Sequence, residues 1–167
     1  MHKIYTAFMM LVLASCANVN DIKNLDQATV SSFNKALAIG YKDFAKKSSW
    51  RDSSYFKLKS KNAAKGQEVL PEDVSKWKNI PEVEVDNLRW ARIKLDNVLI
   101  DSVRADYPVQ LANIQKLYDC WLEMESRGVR KEKIEECRME FILEIGVLES
   151  ILMPILPVEE KQAYAQI

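Results

Sequence analysis

The stretch PVQLANIQKLYDCWLEMESRGVRKEKIEECRMEFILEIGVLESILMP, residues 108–154, decides the fold. Pro108 suits the first turn of a helix, where its missing N–H leaves no bond unmade. Leu111, Ile114, Leu117, Tyr118, Trp121 and Met124 then recur at steps of three and four, the apolar stripe of a helix. Gly128 supplies the left-handed residue that ends many helices. A second helix is expected from about 131 to 152, with Ile134, Cys137, Phe141, Ile145 and Leu148 on its buried face and Pro154 and Pro157 stopping it. Two helices joined by so short a turn pack antiparallel.

Cys120 and Cys137 lie at equal distances on either side of that turn, so the hairpin brings them to the same height. Both sit on or beside the inward stripes. A disulfide needs Cα atoms roughly 4.4–6.8 Å apart, which packed helices reach where side chains are small. The alternatives are a redox-active pair or a metal site. Two cysteines without histidine are too few for structural zinc, which takes four ligands, and the spacing is not the Cys-x-x-Cys of a thioredoxin-like centre. A structural bridge is the preferred reading. It would stabilise by about 3 kcal/mol through the entropy of the unfolded chain.

Upstream, three more elements are expected. Asp26 is a candidate N-cap for a helix over 26–47 whose stripe is Val30, Phe33, Leu37, Tyr41 and Phe44. Asp52 or Ser53 could cap a shorter helix through Tyr55, Phe56 and Leu58, stopped by Gly66. Residues 82–105 read as one helix, with Val85, Leu88, Ala91, Leu95, Val98, Leu99 and Ser102 on its face. Tyr107-Pro108 ends it, because the residue before proline avoids the helical region.

Between these helices, residues 67–81 form the longest irregular stretch, with Pro71 and Pro81 bracketing Trp77. Loops of this length are functional or packed down by their own side chains. One reading has Val69, Leu70 and Trp77 covering an end of the core. The other makes Trp77 an exposed, candidate partner contact.

Composition closes several routes. Basic and acidic residues balance at 24 each, without the basic face a nucleic-acid partner needs. The only histidine is His2, which removes the commonest general base and metal ligand from the rest of the chain. Gly40, Gly66, Gly128 and Gly146 are too scattered for a phosphate-cradling loop. No cofactor is implied. Glu136, Glu140 and Glu144, with Glu123 and Glu125 on the neighbouring helix, could do acid–base or metal chemistry. Interleaved Glu132, Lys133 and Arg138 favour a solvated face instead. Trp50, Trp77, Trp90 and Trp121 fall on separate elements, which favours core and core-rim packing over a membrane belt.

The first sixteen residues carry the address. Met1-His2-Lys3 is a basic start, Ile4 to Leu13 an apolar run shorter than the roughly 20 residues of a membrane-crossing helix, and Leu13-Ala14-Ser15 lead to Cys16. Leu13-Ala14-Ser15-Cys16 resembles the lipobox of bacterial lipoproteins. The alternatives are an ordinary signal cleavage site or a retained apolar anchor. The resemblance implies cleavage before Cys16, a diacylglycerol on its thiol and an acyl chain such as palmitate on its amine. Several chains give stable membrane anchoring. Ala17, where the enterobacterial sorting rule uses Asp to retain lipoproteins, leans towards the outer membrane. Residues 16–25 then form a tether.

A second resemblance covers roughly residues 30–150. Tyr55-Phe56, Gly66-Gln-Glu-Val69-Leu70-Pro71-Glu72, Trp77, Pro81, Ala91-Arg92, Leu95, Tyr118-Asp-Cys-Trp-Leu-Glu123, Ile134-Glu-Glu-Cys-Arg138 and Phe141 are similar to the helical region after the lipobox of alphaproteobacterial OmpA-family lipoproteins. The resemblance implies an outer-membrane address and a bridged hairpin. The Asn-x-x-Leu-Ser-x-x-Arg signature of the family's peptidoglycan-binding domain does not occur, so that activity does not carry over.

The expected protein is all-α: a small bundle of about four or five helices with a disulfide-linked C-terminal hairpin. Its parts are a signal peptide at 1–15, the tether, a helical domain at 26–153 and a tail at 154–167. The expected role is non-enzymatic, a structural or adaptor lipoprotein at the outer membrane facing the periplasm. It would be held to the membrane through Cys16 and work on an unidentified envelope protein. A periplasmic binding module for an apolar or cell-wall ligand is the alternative.

Overall fold

Proline at the first position and glycine just past the last define the central helix, as the sequence requires. In the computed structural model, which describes residues 30–47 and 50–153, this helix runs Pro108–Arg127. Gly128 stands in the left-handed region at φ 58°, and its N–H and that of Val129 return to the carbonyls of Glu125 and Met124. This is the paired closure of a Schellman cap. Gly66, at φ +75°, closes the second helix the same way through Ala63 and Asn62.

The described residues contain six α-helices and no strand: α1 Ser32–Lys47, α2 Trp50–Ala64, α3 Glu82–Val98, α4 Asp101–Asp106, α5 Pro108–Arg127 and α6 Lys131–Leu152. One 3-10 turn, Val74–Lys76, interrupts the loop between α2 and α3 and is capped by Asp73. Helix α5 is the axis. It packs against α1 on one side and α6 on the other, with α3 and α4 closing over it.

The hairpin forms as expected, and Cys120 and Cys137 are bonded with their Cα atoms 5.8 Å apart. Ile134, Phe141, Ile145 and Leu148 are buried on α6. The core is dense in aromatics: Trp121, Tyr118 and Phe141 meet at centroid distances of 6.0–6.2 Å, and Tyr41, Phe44 and Phe56 form a second group.

Four expectations need correcting. Helix α1 starts at Ser32, because the Ser31 hydroxyl caps the N–H of Asn34; Asp26 lies outside the described residues. Helix α2 is a turn longer at its start than Asp52 or Ser53 would allow. The expected single helix over 82–105 is two, broken at Leu99 and Ile100. A continuous helix would aim Ser102 into the core; the break lets Val103 enter instead and leaves Ser102 exposed. Finally, Glu123 and Glu125 do not share a solvated face with Glu136 and Glu140. Both are buried, because α5 is covered on every side rather than along one stripe. Glu123 pairs with Arg127 at 3.1 Å, and Glu125 accepts the Trp121 indole N–H at 3.2 Å.

Candidate functional site

Tyr41 sits in the apolar stripe of α1, so helical register aims its ring into the core. Lys59 is aimed inward from α2, and Gln115 and Asp119, four residues apart, share one inward face of α5. Tyr41, Gln115 and Asp119 are fully buried, and Lys59 and Glu72 nearly so. Burying these groups is tolerated only where each finds a partner.

They find one another. The Lys59 ammonium donates to Asp119 Oδ2 at 2.6 Å, to the Leu70 carbonyl at 3.0 Å and to Glu72 Oε1, so all three of its donors are used. It also stands 4.8 Å from the centre of the Tyr41 ring. Asp119 Oδ2 accepts the Tyr41 hydroxyl as well, and its Oδ1 accepts the backbone N–H of Glu72 at 2.8 Å. The other Glu72 oxygen accepts the Trp77 indole N–H at 3.0 Å, and the Tyr55 hydroxyl bridges the carboxylate, 2.9 Å from Oε1 and 3.1 Å from Oε2.

The cluster holds the 67–77 loop by its backbone. Gln115 donates to the Val69 carbonyl at 2.7 Å, Lys59 to that of Leu70, and Arg92 of α3 to those of Pro71 and Glu72 at 3.0 and 2.8 Å. Four consecutive carbonyls are thus taken by side chains from three helices. Trp77 lies over Phe56 and edge-on to Tyr55, partly buried rather than standing free, while Leu70 turns outward and does not cover the core.

Burial dominates the electrostatics. It pushes the Tyr41 hydroxyl well above its usual range, helped by the neighbouring Asp119 charge. It raises the Asp119 carboxyl, against the opposing pull of Lys59 and Tyr41. Tyr55 is raised by burial and then by the charge on Glu72. A cleft of about 580 Å³ opens onto the outer edge of the cluster beside Tyr55, Lys59, Glu72 and Arg92.

The disulfide lies elsewhere, along a groove of about 550 Å³ between α1 and α6, floored by Lys116 and Leu117 of α5. A third feature is on the outer side of α6. Met139, Leu143, Val147 and Ile151 repeat every four residues and are 36–62% exposed, an apolar row that winds along the side of the helix away from the buried one. Gly146 lies beside it with open space where a Cβ would be. Glu136 and Glu140 are exposed towards the start of the same helix, as expected, and no metal-holding group of His, Cys, Asp or Glu occurs among the described residues.

Of the residues singled out in the sequence, Cys120 and Cys137 come together and Trp77 joins the buried cluster. Cys16 lies outside the described residues. Tyr41, Lys59, Gln115 and Asp119 were not anticipated as a group. The signal that could have found them is register: Gln115 and Asp119 occupy core positions between Leu111 and Leu122. Tyr55, Glu72, Trp77, Arg92 and Asp119 all belong to this one cluster. No family model, no curated protein and no solved structure matches the chain. No helix among the described residues is long and apolar enough to cross a membrane.

Proposed function

We propose that this chain is a non-enzymatic envelope lipoprotein, anchored at Cys16 in the outer membrane on its periplasmic side, that presents a rigid helical surface to a partner protein. The observation that carries the reading is the stripe Met139–Leu143–Val147–Ile151 on the outside of α6, a helix already packed through its other face. A helix apolar on two sides belongs in an interior, and exposed apolar stripes of this kind mark interaction surfaces. The partner best suited to it is an amphipathic helix laid alongside, anchored at intervals of three and four residues.

The buried cluster fits the same role. Its acids and its lysine are bonded to one another and to the loop backbone, which makes it a clamp that keeps the body rigid. The lipobox resemblance at Leu13–Cys16 and the OmpA-family resemblance over the helical region support the address. The test is a photo-crosslinking side chain at Leu143 in intact cells, with exposed Lys57 on α2 as the control position. Capture of one defined protein from Leu143 and none from Lys57 supports the reading. Equal, nonspecific capture from both overturns it.

A further inference from the structure

Lys59, Glu72 and Asp119 bring one amine and two carboxyl groups into a single buried, hydrogen-bonded set. The Lys59 nitrogen lies 2.6 Å from one oxygen of Asp119, with Glu72 Oε1 in hydrogen-bond contact on its other side. The Asp119 oxygen left over is held by the Glu72 backbone N–H at 2.8 Å. The walls are Tyr41, Phe56, Tyr55 and Trp77. Asp119 is fully buried and Lys59 and Glu72 nearly so, and burial disfavours separated charges, while fixed proximity replaces a collision with a unimolecular step.

We propose that Lys59 and Asp119 are joined in the folded protein by an isopeptide bond, formed without any other enzyme and with Glu72 as the proton shuttle. The inference is independent of the adaptor reading. Glu72 takes a proton from the Lys59 ammonium and passes it to Oδ2 of Asp119, and the freed lone pair attacks Cγ of the neutral carboxyl. The electron pair of the C–Oδ1 double bond moves onto Oδ1, where the Glu72 N–H steadies it. When the double bond re-forms, the C–Oδ2 bond breaks. Oδ2 leaves as water, carrying the proton returned by Glu72 and a second one lost from the nitrogen along the same path. An ammonium and a carboxylate become an amide and water, with no change of oxidation state and no co-reactant. Burial favours the neutral product over the separated ions, and holding the Asp119 carboxyl above its usual range acts in the same direction. The amide oxygen keeps its bond from Glu72 N–H, and the remaining amide hydrogen has the Leu70 carbonyl to point at.

The experiment is peptide mapping by mass spectrometry of the full chain purified in detergent, after the cysteines are reduced and alkylated. Trypsin cuts after lysine and arginine but not after an acylated lysine. The wild type is expected to give one branched peptide, Leu58-Lys59-Ser60-Lys61 joined to the segment 117–127, lighter by one water than the two together. Glu72→Gln is expected to give the two pieces separately, with cutting restored after Lys59. Recovery of the unjoined pieces from the wild type overturns the proposal whatever the variants do. A branched peptide that persists undiminished in Glu72→Gln overturns the role given to Glu72.

Discussion

Replacing Asp119 by alanine removes the acceptor shared by three donors: the Tyr41 hydroxyl, the Lys59 ammonium and the Glu72 N–H. Asp119 is fully buried, so water cannot stand in for the lost oxygens. Breaking a buried ion pair by deleting one partner costs about 3–5 kcal/mol, because the remaining charge stays in the dry interior. Here Lys59 keeps Glu72 as a partner, which argues for the lower end. The orphaned Tyr41 hydroxyl and Glu72 N–H each add about 1–3 kcal/mol unless they find new partners. With the low end of each contribution we expect a loss of about 5 kcal/mol for the ionised pair, comparable with the whole 5–15 kcal/mol typical of a domain; where Lys59 and Asp119 are joined as an amide, the variant loses that cross-link in place of the ion pair. The assay is chemical denaturation of wild type and Asp119→Ala, with hydrogen exchange read across residues 69–77. The loop should lose protection before the α5–α6 hairpin does, since four of its carbonyls are bonded to side chains around Asp119. A loss below about 1 kcal/mol with unchanged protection in the loop would refute the clamp.

Reduction of the Cys120–Cys137 bridge, or Cys120→Ser, should lower stability by about 3 kcal/mol in the chain-entropy model, measured as a shift in the denaturant midpoint. Tyr41, Tyr55 and Tyr118 are all raised above the ordinary tyrosine range by burial, so the fold favours their neutral forms. That stability is complete below about pH 10 and is lost as pH rises, by about 1.4 kcal/mol per pH unit for the fully buried Tyr41. An ultraviolet titration should show these three ionising only together with unfolding. Gly128→Ala forces a Cβ onto a left-handed residue and should cost about 1 kcal/mol, although the space around it is open; an unchanged midpoint would contradict this. Leu143→Glu should leave stability within about 0.5 kcal/mol of wild type while abolishing capture of a partner at that face.

The C-terminal hairpin was legible because its signals are local. Pro108, Gly128 and two stripes at helical spacing leave little choice, and the equal arms from Gly128 bring the cysteines together. The break at Leu99–Ile100 was hidden, since Val98-Leu99-Ile100 is an apolar run that suits a continuing helix as well as a kink. Only the tertiary gain of burying Val103 decides it. The polar cluster was hidden for another reason. Tyr41 passes for an apolar stripe residue, and Lys59 lies in Lys57-Leu58-Lys59-Ser60-Lys61, which reads as a solvated face. The partners of Lys59 come from positions 11 to 60 residues away and meet only once the bundle forms. Glu123 and Glu125 were misplaced because a helix covered on all sides gives no polar face to read.

The proposed address at the membrane rests on Cys16, and growth of cells with an alkyne-bearing fatty acid tests it most directly. Wild-type protein should carry the label at a mass lacking residues 1–15, and Cys16→Ser should carry none. Unlabelled wild-type protein that retains Met1–Ser15 would contradict the account.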